Sequence, residues 1–346
     1  MIVAGLWFSL ETVFMQRTRA SLAAILLAFV LAALAGSPAA AQSAKPWRHG
    51  LIEPKSDAGI LMMAAKRDFF KKVGLDVQIV PVKDDQILLK AVIAGDLDSF
   101  EGGPSGALVA ASHGADVKIL GCTWLMVPHG IFVHDDITSM DQLKGKTMAI
   151  SSPGAFPDIF AKGALTHFNI PEDAMKYANL GGDLDRYKAL VAHVVDAAVV
   201  SGEYAPIAAK EHIKMLVSAK EALPKFLRMC LTANGAAVQS RPQDAAKFLA
   251  GEMLGLRYAV AHKDDVLKVT REVTGVKPDD PRPAYIYDLA MRENAIGTDV
   301  PIPMDNFNWL NGELVKVGSL AQPMDLAKVL DDKPREDALK LIANMH

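Results

Sequence analysis

Apolar and polar positions change period repeatedly along this chain. Trp47 to Ile52 reads as a strand and is followed by the polar loop Glu53-Pro54-Lys55-Ser56-Asp57. Over Ala58 to Lys72 the apolar residues Leu61, Ala64, Ala65 and Phe69 recur at helical spacing. Lys66, Arg67, Lys71 and Lys72 take the other face, so the pattern predicts a helix. Gly74 stops it, at a position where a positive φ is needed and a Cβ is penalised. Leu75, Val77 and Ile79 then alternate with Asp76 and Gln78, the period of a strand. A helix over Asp85 to Ala94, a short strand Asp98-Ser99-Phe100, the turn Glu101 to Gly106 and a helix from Ala107 to Ser112 follow. Val117 to Val133 is a long apolar stretch interrupted by Pro128.

A second unit starts near Ile137. Met140 to Gly145 is a helical lead-in, Thr147 to Ile150 a strand, and Ser151-Ser152-Pro153-Gly154 the turn into a helix that runs to about Phe168. Leu184 to His193 reads as helix, and Ala197 to Val200, Met215 to Val217 and Leu227 to Ala233 as strands. After Pro242 the chain is helical to about Val273, then proline-rich, then helical near Asn306 to Val317. This alternation predicts mainly parallel sheets covered by helices, with a middle unit inserted between an N-terminal unit and a helical C-terminal part.

The first 41 residues read as an address. A basic stretch, Met15 to Arg19, precedes the apolar run Ser21 to Ala35, and Gly36, Ser37, Pro38 and Ala39-Ala40-Ala41 close it. That order is a secretory signal peptide, with cleavage expected after Ala41 and a better start at Met15. An uncleaved anchor is the other reading, but the run is short for a span. A soluble periplasmic protein is expected. The chain is 51% hydrophobic and 22% charged, which excludes a disordered or fibrous class. Its net charge of −3 provides no basic surplus for nucleic acid. Two cysteines exclude a disulfide scaffold and a cysteine-rich zinc module.

Four stretches together resemble a family. They are Ala58 to Val77 (AGILMMAAKRDFFKKVGLDV), Ala94 to Leu120, Ile137 to Gly154 (ITSMDQLKGKTMAISSPG) and Val317 to Leu339. Their order and spacing resemble the periplasmic substrate-binding proteins of the nitrate/sulfonate/taurine and thiamine-precursor-like group, which serve ABC importers. The resemblance implies a two-lobe (type II) periplasmic binding protein fold, α/β in class, with mixed sheets, two crossovers and a ligand cleft between the lobes. Lobe 1 is expected over 42–134 and 227–346, and lobe 2 over 135–226. It also implies a membrane permease with its ATPase as partners. A monomer without a cofactor or metal is expected. The ligand stays open among sulfonates, nitrate, taurine, aromatic acids and pyrimidine-like compounds.

Ligands in open α/β sheets sit outside the carboxyl ends of strands, which selects the loops there. In lobe 1 these hold Ser56, Glu101, Gly102, Gly103 and Ser105; in lobe 2, Ser151, Ser152, Gly154, Phe156, Asp183, Glu203 and Tyr204. The turn from Ser151 to Gly154 opens a helix, whose free N–H groups suit an anion; plain serine capping is the alternative. The glycines permit close backbone approach, or simply a tight turn. Glu101, Asp183 and Glu203 could accept from a ligand amine or hydroxyl, or be solvated or capping carboxylates. Three carboxylates in one cleft disfavour a small anion. Trp124, Phe156 and Tyr204 either stack on a ligand ring or belong to the core.

Cys122 and Cys230 fall in the two crossover segments. Two buried, unpaired thiols are the favoured reading, and a hinge disulfide the other. Local enzyme signatures fail. Gly145-Lys146-Thr147 lacks the upstream glycine of a P-loop, where Met140 stands, and no H-x-x-x-H pair or G-x-S-x-G elbow occurs. The expected function is a non-enzymatic solute receptor that delivers its ligand to an ABC importer. The rivals are an exported or pyrimidine-synthase-like enzyme on the same fold, and a soluble sensor for a membrane receptor.

Overall fold

The computed structural model describes residues 45–52, 55–82 and 85–345. The expected signal segment, Glu53 and Pro54 lie outside them. The described chain builds two five-stranded mixed sheets of like design. The first is ordered β2-β1-β3-β10-β4, from β1 (Trp47–Ile52), β2 (Val77–Val82), β3 (Ser99–Gly102), β4 (Val117–Trp124) and β10 (Met229–Asn234). The second is ordered β7-β6-β8-β5-β9, from β5 (His129–His134), β6 (Thr147–Ile150), β7 (Lys176–Asn179), β8 (Ala197–Ser201) and β9 (Ile213–Ser218). In each sheet β1–β3 or β6–β8 run parallel, and one strand runs against its neighbours, β10 in the first and β5 in the second.

Those two antiparallel strands are the ones attached to the crossovers. The chain leaves lobe 1 after Trp124 and enters lobe 2 at His129; it returns from Ser218 through the helix Ala219–Ala222 to Met229. The apolar run 117–133 is thus two strands in two sheets, parted at Pro128. The expected boundary at residue 134 falls at the end of β5, a strand of the second sheet. β8 is buried along its whole length, so its apolar sequence shows no alternation.

The helix expected over Ala58 to Lys72 is three separate turns, Ala58–Leu61, Met63–Lys66 and Phe69–Lys72. The break before its last turn is at Asp68, and its first turn is pinned at Gly59. Asp68 adopts a left-handed conformation (φ 58°), and Gly59 lies hard against the backbone of Val266, its N–H donating to Thr270 Oγ1 at 2.9 Å. The proline-rich stretch contains a helix, Arg282–Arg292, with Pro283 in its first turn, where no intrahelical N–H is lost. The long helix Pro242–Ala261 packs Phe248 on Trp47 and Phe70, with ring centroids 5.7 and 5.5 Å apart.

Cys122 and Cys230 are joined as a disulfide, which corrects the unpaired-thiol reading. The reason is register. β4 and β10 are antiparallel and set the two cysteines directly opposite, with Cα atoms 3.8 Å apart.

Candidate functional site

The carboxyl ends of the parallel strands in both sheets converge on one cleft. The starts of β5 and β10 reach the same edge, because an antiparallel strand begins where its neighbours end. The cleft is closed by an ion pair between lobes: Lys55 Nζ, on the loop after β1, lies 2.8 Å from Asp183 Oδ2, after β7.

Asp183 is the hub of lobe 2. Its Oδ1 accepts from Arg186 Nη2 at 2.6 Å and from the Ser201 N–H at 3.2 Å, and His129 Nε2 stands 3.5 Å away. Arg186 is itself buried and donates to the carbonyls of Val199 and Gly181. Burial alone would raise the Asp183 pKa. His129, Lys55 and Arg186 outweigh it and hold the carboxyl well below the usual range. Burial pushes the His129 pKa down.

Lobe 1 contributes a second pair, Arg228 with Asp57, and the Arg228 guanidinium lies 4.1 Å above the Trp124 ring. Burial would raise Asp57, but Arg228 holds it low. Two other carboxyls on this edge behave oppositely. Glu101 is buried, accepts from Thr123 Oγ1, and is pushed up to about 7 by burial. Glu203 lies beside Ser56, and burial, followed by the nearby Asp57 charge, raises its pKa. Behind Glu101, Glu252 of helix 242–261 is raised well above the ordinary value by burial and by Glu101 itself.

The structure therefore brings Ser56, Glu101, Asp183 and Glu203 to one network. Gly102 and Gly103 line its edge; a Cβ on Gly102 would meet Asp85 Oδ1 at 2.6 Å. Ser105 follows in the first turn of the helix Pro104–Ser112. Phe156 lies at the lobe 2 rim, its ring centroid 5.1 Å from that of His129 and 4.9 Å from that of Phe226. The turn before it differs from the anion cradle expected. The Gly154 N–H is taken by Asp158 Oδ2 at 2.8 Å, a carboxylate also paired with Lys162, so the helix start already holds an anion. Ser152 is exposed, while Ser151 Oγ is buried without a partner. Trp124 is fully buried beneath Arg228, and Tyr204 packs on Tyr187 with centroids 4.5 Å apart. Both are placed as core aromatics rather than as open stacking faces.

Lys55, Asp57, Thr123, His129, Arg186 and Arg228 were not singled out from sequence. His129 and Arg228 stand where the antiparallel strands begin, a position the strand-end rule passes over. Among the described residues no cluster of three or more His, Cys, Asp or Glu could hold a metal ion, and no helix is long and apolar enough to cross a membrane.

Two α/β lobes, two crossovers and a polar cleft at facing strand ends define the two-lobe periplasmic binding protein fold. Residues 55–266 match the family described as NMT1/THI5 like, and the chain belongs to it. No curated protein sequence matches the chain. The fold is shared with the periplasmic nitrate-binding protein NrtA from Synechocystis PCC 6803 (TM-score 0.68, 14% identity, covering 86% of this chain and 89% of that one). It is shared with the periplasmic aliphatic sulphonate binding protein SsuA from Escherichia coli (0.66, 15%, 83% and 92%). The desulfurization enzyme DSZB is also similar (0.62, 16%, 85% and 99%).

Proposed function

We propose that the protein is an exported solute receptor, delivered to the periplasm by a cleaved N-terminal signal, which closes its lobes on one small organic ligand and presents it to an ABC importer. The observation that carries this reading is the pairing across the cleft. Among the described residues, Lys55, Arg186 and Arg228 are each engaged by a carboxylate, while Glu101 and Glu203 form no ion pair, although Arg228 lies near the first and Lys55 near the second. A nitrate or simple sulfonate would find no unpaired cation there, only the N–H groups of Arg228 Nη1 and Trp124 Nε1, which are buried without a partner. A ligand carrying N–H or O–H donors on a ring would instead satisfy Glu101 and Glu203 and the Ser151 hydroxyl. Relatives in fold that bind nitrate and sulphonates support the receptor role; the charge arrangement favours a different ligand class.

Closure follows from the same groups. A ligand held by Glu101 in lobe 1 and Glu203 in lobe 2 would bias the hinge toward the closed form by its differential contacts. The test is a thermal-shift and calorimetric screen on protein unfolded and refolded to strip carried-over ligand. Amino- and hydroxy-substituted nitrogen heterocycles are expected to raise Tm saturably without being consumed, following RT ln(1 + [L]/Kd). A comparable response to nitrate or alkanesulfonates would refute the ligand class. Turnover of a binding compound would favour an enzyme on this fold, as with DSZB, over a receptor.

A further inference from the structure

A cavity lies beside the turn that follows β8. The short turn Gly202–Tyr204 directs Glu203 to Ser56 and sets Tyr204 on Tyr187. Beside this aromatic pair is a cavity of about 540 Å³. One wall belongs to lobe 2: Leu184, Lys188 and Val191 of the helix Asp183–Val191, then Ile207 and Lys210. The opposite wall is Lys277 to Arg282, which leads into the helix Arg282–Arg292. That helix buries Ile286, Tyr287 and Ala290 in the core of lobe 1. The cavity is thus built from both lobes.

Its lining is amphipathic. Leu184, Val191, Ile207, Pro281 and the two tyrosine rings provide the apolar surface, and Leu184 is 48% exposed there. The Tyr187 hydroxyl is buried without a partner. Lys188, Lys210 and Lys277 line it without an ion pair among the described residues, whereas Arg282 is held by Asp280 at 2.6 Å. Glu211 and Asp279 also lie on the lining, so positive charge is in slight excess. An apolar floor under unpaired ammonium groups is complementary to a flat ring bearing an anionic substituent.

We propose that this cavity is a second ligand site, which takes an aromatic carboxylate or sulfonate with its ring against Leu184, Val191 and Ile207 and its anionic group toward Lys210 and Lys277. The site is independent of which solute fills the cleft. Its walls move apart if the lobes open, so an occupant would favour closure, and the two ligands would raise each other's affinity by the same factor.

The experiment is calorimetric titration of the full chain with naphthalene-2-sulfonate, comparing wild type with Lys210→Glu/Lys277→Glu and with Leu184→Trp, which fills the cavity from an exposed position. Circular dichroism melts verify that each variant folds. Binding by wild type that weakens roughly tenfold or more in both variants is the expected result. If the double charge reversal fails to fold, Leu184→Trp alone decides. Absence of binding by wild type overturns the proposal, and so does unchanged affinity in the variants. Loss of binding in Lys55→Gln with the cavity variants unaffected would place the probe in the cleft and equally overturn it.

Discussion

Replacing Cys122 and Cys230 together with alanine removes the covalent link between β4 and β10 at the base of the two crossovers. The link closes a loop with a sequence separation of 108 that contains the entire second sheet. If both lobes unfold in one step, the loop-closure entropy withheld from the unfolded chain contributes about 4.7 kcal/mol. If lobe 2 stays folded while lobe 1 melts, the Gly130–Ser218 pairing already holds its ends together. The effective loop then shrinks to roughly 20 residues and the contribution to about 3 kcal/mol. Both cysteines are fully buried, so lost packing adds to either value. Urea titration followed by two probes separates the cases. Trp47 and Trp124 lie in the lobe 1 core and report that lobe by fluorescence, whereas far-ultraviolet circular dichroism reports both. Coincident transitions and a loss near the larger value are expected for one cooperative unit. Separate transitions, with only the fluorescence transition shifted, are expected for two. A loss under about 1 kcal/mol with an unchanged m value would refute the loop argument.

Other perturbations test the remaining contacts. Asp183→Ala strands the buried Arg186 guanidinium, and a loss of about 3 kcal/mol is expected by urea denaturation; Lys55→Ala, whose side chain is half exposed, should cost under about 1 kcal/mol yet widen the scattering envelope as the lobes part. Glu101 sets a pH dependence: its pKa rises from 4.5 unfolded to about 7 folded, so its contribution is complete below pH 4.5 and is lost as pH climbs to 7. Glu101→Gln, which still accepts from Thr123, should reduce the fall in stability between those values by about 3 kcal/mol and leave the part due to buried Glu252, and an unchanged slope would count against the buried-acid assignment. Gly121 (φ 142°) lies against the Val300 backbone, so Gly121→Ala should cost about 3 kcal/mol or more in thermal or chemical melts, and a neutral substitution would contradict that packing.

Much of the candidate site was legible because strand ends are legible. A run such as Thr147 to Ile150 ends in Ser151, and the sheet architecture places that end in the cleft whatever the loop contains. Ser56, Glu101, Asp183 and Glu203 were picked out as candidates on that basis. Their partners were not. Lys55, Arg186 and Arg228 sit in loops or helix turns where a charge ordinarily faces water, and nothing local marks Lys55 for a carboxylate 128 positions away. His129 and Arg228 open antiparallel strands, and the direction of a strand is a property of the sheet, not of its own residues. The Ser151 turn shows the opposite failure: its sequence suits an anion, but Asp158, one helical turn on, takes the Gly154 N–H first.

Local sequence determined what depends on neighbours in the chain: the strands β1 and β6, the helix Asp85–Ala94, the glycine stop at Gly74 and the alternating α/β order. These follow from side-chain period and backbone sterics, which act over a few residues. Tertiary structure alone decided the split of 117–133 between two sheets, the break in the helix at Asp68, the Cys122–Cys230 bond and the Lys55–Asp183 closure. Each depends on which distant groups are brought within a few ångströms after the chain collapses. Burial then gives those groups their strength, because a charge removed from water must find its partner in the protein.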